Sequence, residues 1–127
     1  MVFFSKFTIA IGIAVGYAMA HSGDMTWYDP GLGACGWTNG GGDMIVAMSP
    51  GDMKCGTHRK TLLPLGKIPT NECIQIVNIK YKGKTANAKI VDKCPSCAAG
   101  SIDVSPTVFQ IFEPLGTGRV HVDWEYA

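Results

Sequence analysis

The sequence predicts a mainly β fold: a small six-stranded barrel with one short helix, reinforced by disulfides. Three observations predict it. Apolar and polar residues alternate in the stretches 73–81, 84–92 and 118–126, which is the period of a half-buried strand. The 16 Gly and 7 Pro of the 127 residues punctuate the chain into short elements. The apolar spacing of a helix occurs clearly once, just after Ser105-Pro106.

Residues 1–20 stand apart. Lys6 is followed by an uncharged apolar run, Phe7 to Met19, and Ala18-Met19-Ala20 fits the small-x-small rule of a secretory cleavage site. A signal peptide over residues 1–20 and a single extracellular domain over residues 21–127 are therefore expected. The run is too short for a membrane anchor and lacks basic residues behind it. Lys6 is the one charged residue removed, so ten basic and ten acidic side chains remain. A neutral domain is not expected to bind nucleic acid or an anionic membrane, both of which favour a basic excess.

The elements follow in order. Residues 25–28 read as a first strand, with either Trp27 or Tyr28 facing out if the strand is regular. Asp29-Pro30-Gly31 turns it. Residues 31–42 form a Gly-rich loop holding Cys35 and Trp37. Such a loop cradles phosphate when it enters a helix. Here the strand-like run 44–48 follows, so a surface loop is expected instead. Residues 49–70, broken by Pro50-Gly51, Pro64, Gly66 and Pro69, read as a long loop carrying Cys55 and His58. Residues 73–81 and 84–92 read as a hairpin turning on Lys82-Gly83, because Gly supplies positive φ. Residues 102–104 read as a short strand. Ser105 then caps a helix over 107–113 with Pro106 at its first position, and Val108, Ile111, Phe112 and Leu115 form its apolar face. Val120, Val122, Trp124 and Tyr126 mark a half-buried last strand.

Five cysteines, Cys35, Cys55, Cys73, Cys94 and Cys97, occur in a chain read as secreted, which favours disulfides over zinc or thiol chemistry. The odd count leaves at least one without an internal partner. A thioredoxin-like use of Cys94 and Cys97 would want a strand–helix setting, which the sequence does not show. Two carboxylates, Asp92 and Asp103, each follow an apolar strand residue near that C-x-x-C. Asp92 reads first as an acceptor for backbone N–H groups in the turn before Cys94, and second as catalytic. Trp27, Tyr28 and Trp37 lie near the Gly-rich loop, where exposed aromatics would stack on sugar rings, and Tyr28, Asp29 and Trp37 are expected near Asp103 in a shallow groove. His21, if it becomes the first mature residue, would be a copper ligand only with His58 or His121 beside it. A frayed terminus is the expectation.

Taken as a set, T-W-Y-D-P-G-L-G-A-C-G at 26–36, the I-V-A-x-S run at 45–49, V-D-K-C-P-S-C at 91–97 and S-I-D-V-S-P at 101–106 resemble secreted fungal proteins with a double-psi β-barrel. That superfamily includes bacterial rare lipoprotein A, the barwin and expansin domains, and small endoglucanases. The resemblance implies roles residue by residue. Asp103 stands where expansins and the related endoglucanases keep a catalytic or wall-loosening Asp. Asp92, in V-D-K-C-P, resembles the N-D-R-G-P Asp of rare lipoprotein A, which cleaves peptidoglycan strands. His58, in H-R-K-T-L-L-P-L-G, is similar to that family's functional His. Asp29 stands one position from the endoglucanase base, since the run here is T-W-Y-D. A barwin-like pairing would link Cys35 to Cys73 and Cys55 to Cys94; a pairing like the four-cysteine fungal members would close Cys94 to Cys97.

Glycoside hydrolysis usually needs two carboxyl groups flanking the bond, with Asp103 as acid and Asp92 or Asp29 as partner. The reading favoured from sequence is binding or loosening of cell-wall polysaccharide without turnover, by a monomer. A glycan-cleaving enzyme using Asp92 and Asp103 is the first alternative. The second is a protein-binding module such as a protease inhibitor, because a small bacterial papain inhibitor and some plant defence proteins resemble this barrel. No flavin motif is present and no cofactor or metal is expected.

Overall fold

The computed structural model describes residues 20–54 and 75–127. Strands β1 (His21–Trp27), β2 (Ile45–Met48), β3 (Ile76–Tyr81), β4 (Lys84–Lys93), β5 (Ile102–Val104) and β6 (Arg119–Tyr126) are joined by one helix, α1 (Pro106–Phe112), and a 3-10 turn at Leu115–Thr117. The strands close into a barrel in the order β1-β5-β2-β4-β3-β6. The β1/β5 and β2/β4 pairs are parallel, and the other neighbours are antiparallel. Parallel neighbours need crossover connections, and the two parallel pairs give the double-psi arrangement.

The hairpin β3–β4 turns on Lys82 and Gly83, both at positive φ (45° and 77°), the conformation that matches strand twist. Inward residues from all six strands meet in one core, including Met25, Met48, Ile79, Ile90, Val104 and Trp124. Helix α1 packs on β1 and β4. It begins where Ser105 accepts the Val108 N–H and Pro106 occupies the first turn, as expected. Its buried face is corrected: Val108, Phe109 and Phe112 point inward, while Ile111 is 38% exposed. A seven-residue helix makes barely two turns, so a 3.6-residue period leaves its face ambiguous by one position.

Strand β1 begins four residues earlier than expected. His21 is not frayed: its ring stacks on Trp124 at 4.2 Å between centroids, edge-on to Tyr126 at 5.4 Å. Trp27 faces inward, packed against the core with its indole N–H on the Leu115 carbonyl at 3.0 Å, which leaves Tyr28 to face out. Of the expected long loop, residues 49–54 are seen. Cys55, His58 and the rest of that loop lie outside the described residues, as does Cys73.

Candidate functional site

Strand register puts the two carboxylates in one row. Ala47 of β2 pairs with Asp103 of β5 on one side and with Asp92 of β4 on the other. Thr26 of β1 pairs with Asp103, and Arg119 of β6 pairs with Thr26. At the usual strand spacing, Asp92 and Asp103 stand about 10 Å apart at their backbones. Asp92 reaches this row because β4 bulges: Val46 pairs with Ile90, but Ala47 pairs with Asp92, and Val91 is the extra residue. A bulge re-aims the side chain that follows it.

Asp103 is half-buried and lines a cleft of about 210 Å³ with Asp24, Thr26, Ser96, Ser101 and Arg119 and the Cys94–Cys97 turn. Its carboxylate accepts the Thr26 hydroxyl at 3.0 Å. Burial raises its pKa, opposed by the Thr26 bond and the Arg119 charge and assisted by Asp92. Arg119 is itself engaged at 3.1 Å by Asp24, whose carboxylate also meets the His121 ring at 3.4 Å. The bond from Arg119 and then that from His121 hold Asp24 below the usual carboxylate range. The cleft is therefore lined by hydrogen-bonding groups, and its two carboxyls differ in what governs them, burial at Asp103 and hydrogen bonds at Asp24.

Asp92 is built differently. One of its oxygens accepts two backbone N–H groups, from Ala34 and from Lys93, each at 2.8 Å. The expectation of a turn acceptor holds, but the bonding extends beyond the local turn to the Gly-rich loop. That loop lies against the bulge. Cys35 N–H donates to the Val91 carbonyl at 3.1 Å. A Cβ on Gly33 would sit 2.3 Å from the same carbonyl oxygen, so the close approach requires glycine there. The loop is itself a small hairpin, with Leu32 bridged to Thr38, Gly33 N–H on the Trp37 carbonyl at 2.8 Å and Asn39 N–H on Gly31 at 3.0 Å. Its far end is tied to α1 by the Thr107 hydroxyl on the Gly41 carbonyl at 2.7 Å.

The aromatic candidates divide. Tyr28 feels both carboxylates: burial first, then the charges of Asp92 and Asp103, push its hydroxyl well above the usual tyrosine range. Asp29 is exposed beyond it, and no hydrogen bond or ion pair links it to Asp92 or Asp103 among the described residues. Trp37 is half-buried with the Lys89 ammonium 3.8 Å over its ring, so a cation occupies that face. Neither Trp37 nor Tyr28 lines the Asp103 cleft.

The Cys94–Cys97 disulfide is formed, which overturns the alternative pairing of Cys55 with Cys94. Cys35 is also disulfide-bonded, and the choice between Cys55 and Cys73 lies outside the described residues. A disulfide fits an oxidising compartment. His21 and His121 do not come together: His21 pairs with Trp124 and His121 with Asp24, three positions along β1 or about 10 Å. No cluster of metal-ligating side chains occurs among the described residues.

Asp52 is a residue the sequence did not single out. Its side chain accepts the Ser49 hydroxyl at 2.6 Å and the Gly100 N–H at 2.8 Å, and its backbone carbonyl accepts the Tyr126 hydroxyl at 2.6 Å. Burial pushes it up, but those side-chain bonds and the His21 and Lys54 charges outweigh burial and hold it below the usual range. Trp124 N–H holds the Gly100 carbonyl at 2.8 Å, so the Gly100 peptide is gripped from both sides. That grip fixes the segment carrying Ser101, Ile102 and Asp103. No local motif connects Asp52 to a partner 48 residues away.

No protein-family model matches the chain. The papain inhibitor of Streptomyces mobaraensis is 30% identical over 119 residues, covering 90% of this chain and 75% of the inhibitor. An Allergen Asp f 7 homolog of Arthroderma benhamiae is 32% identical over 122 residues, of which the chain spans 38% of the allergen's length. Among solved structures, the Streptomyces papain inhibitor matches with a TM-score of 0.66 at 27% identity, over 86% of this chain and 94% of the inhibitor. A Clavibacter michiganensis expansin, solved in complex with cellohexaose, matches with a TM-score of 0.65 at 18% identity, over 86% of this chain and 50% of the expansin, a likeness of fold alone.

Proposed function

The chain belongs to the family of the Streptomyces mobaraensis papain inhibitor, and on that premise we propose that it is an extracellular binding protein that occupies a papain-like peptidase and performs no turnover of its own. The observation that carries this is the 31–42 loop, which is pinned at its root to the β4 bulge and bonded within itself. A rigid loop binds with little ordering cost. The non-catalytic part of the reading is supported by Asp92, whose oxygen already serves two backbone N–H groups. The apolar run and small-residue site of residues 1–20 support secretion, as does the disulfide. The test is residual papain activity on a small fluorogenic substrate in the presence of the chain, with a gel after long incubation. Inhibition with the chain intact is the expected result; undiminished papain activity, or a chain cut to pieces, would sink the reading.

The polar cleft at Asp103 favours a second reading, binding of cell-wall polysaccharide. Its lining of hydroxyl, carboxyl and guanidinium groups suits a polyhydroxyl ligand. Incubation with insoluble cellulose, chitin and peptidoglycan tests it. Depletion of the chain from the supernatant supports wall binding. New soluble oligosaccharides that disappear in Asp103→Asn would make it an enzyme instead.

A further inference from the structure

We propose that Leu32 is the anchor side chain by which this chain docks, inserting into an apolar substrate pocket of a papain-like cysteine peptidase; the proposal rests on the peptidase reading above. Leu32 is 76% exposed, against 37% for Met44 and 38% for Ile111, the other large apolar side chains exposed among the described residues. Single exposed apolar residues are common and mean little. The setting of this one is what gives it meaning. Its backbone is fixed by the bridge to Thr38, by the bond from Gly33 N–H to the Trp37 carbonyl and by that from Asn39 N–H to the Gly31 carbonyl. The root, two and three residues on, is fixed by Ala34 on Asp92 and Cys35 on Val91, and Cys35 is in a disulfide. The fold thus spends a disulfide, a carboxylate and a glycine on holding a loop whose leucine contributes little to the core. Aliphatic anchors that enter a pocket from a preorganised backbone carry much of the affinity of such interfaces.

The same bonds explain why binding would not lead to cleavage. A peptidase groove engages substrate as an extended strand, through free backbone donors and acceptors. Beside Leu32, the Gly33 and Asn39 N–H groups and the Gly31 carbonyl are already committed within the hairpin. The side chain is offered without an extended peptide to follow it into the catalytic centre.

The experiment is the papain inhibition constant of the full-length chain, as expressed and processed, beside Leu32→Ala, Leu32→Asp and Leu32→Met. Leu32→Ala is expected to weaken inhibition about 10- to 100-fold, the size of losing one buried leucine side chain. Leu32→Asp weakens it further, because the pocket would have to desolvate a charge. Leu32→Met stays within about threefold of the unaltered chain, since the volume is kept. Melting temperatures of the Leu32 variants should match the parent, so that lost inhibition is not lost folding. Inhibition that survives in both Leu32→Ala and Leu32→Asp overturns the anchor while leaving the peptidase reading in place. Absence of inhibition by the unaltered chain overturns that reading and the anchor with it.

Discussion

Asp92 and Asp103 flank the same alanine, yet one has become structure and the other remains open. Both follow a buried aliphatic residue near the end of a strand, and both face away from the core. On the β5 side, Asp103 meets Thr26 and otherwise looks into the cleft. On the β4 side, the bulge at Val91 and the seated loop put two N–H groups on Asp92. The difference teaches that a carboxylate in the barrel's polar row takes its role from what the loops above it leave uncovered. It also separates the two functional readings in space: the loop side suits a protein target, and the cleft side suits a glycan.

The comparison can be broken hardest at Gly33. Gly33→Ala drives a Cβ into the Val91 carbonyl and should cost about 2–3 kcal/mol of unfolding free energy, as overpacking against backbone does; urea denaturation reads it. A wild-type midpoint would mean that the loop does not sit on the bulge. Next comes Asp92→Ala, which leaves the Ala34 and Lys93 N–H groups without their acceptor and should cost about 1–2 kcal/mol. Faster hydrogen exchange at the Ala34 amide, with the β5 amides unchanged, would localise the effect to the loop.

Acid titration sharpens the contrast further. Asp52 is held below its ordinary value of 3.8, so its stabilisation is present above that pH and is lost as pH falls through the lowered value. Asp52→Asn should therefore lower the melting temperature at neutral pH and flatten its fall below about pH 4. Asp103 runs the other way. Its value is raised above 3.8, so the folded state binds its proton more tightly and stability falls as pH rises from 3.8 through the raised value. Asp103→Asn removes that penalty and gives the smallest effect, a melting temperature equal to or slightly above the parent at pH 7. A clear drop there would mean that Asp103 is a structural acceptor like Asp92, and the contrast between them would collapse.

Much of this was legible in the residues. The hairpin on Lys82-Gly83, the Ser105-Pro106 helix start and the alternating last strand all depend on neighbours within a few positions, and all are found. The polar role of Asp103 was legible as well, because an aspartate between buried Ile102 and Val104 must face outward. Asp52, Thr26, Asp24 and Arg119 were not, since their importance comes from partners up to 95 residues away. His21 was misread for the same reason: a residue beside a cleavage site looks frayed until Trp124 is placed under its ring.

By itself, then, the sequence determined the β class, the turns, the helix cap and the set of carboxylates and cysteines, because strand alternation, positive φ and capping are local physics. The tertiary structure alone decided that Cys94 closes on Cys97, that Asp92 anchors a loop while Asp103 lines a cleft, and that Leu32 stands outside. Those outcomes depend on a barrel register, and on one extra residue in β4 that sets which side chain a folded loop can reach.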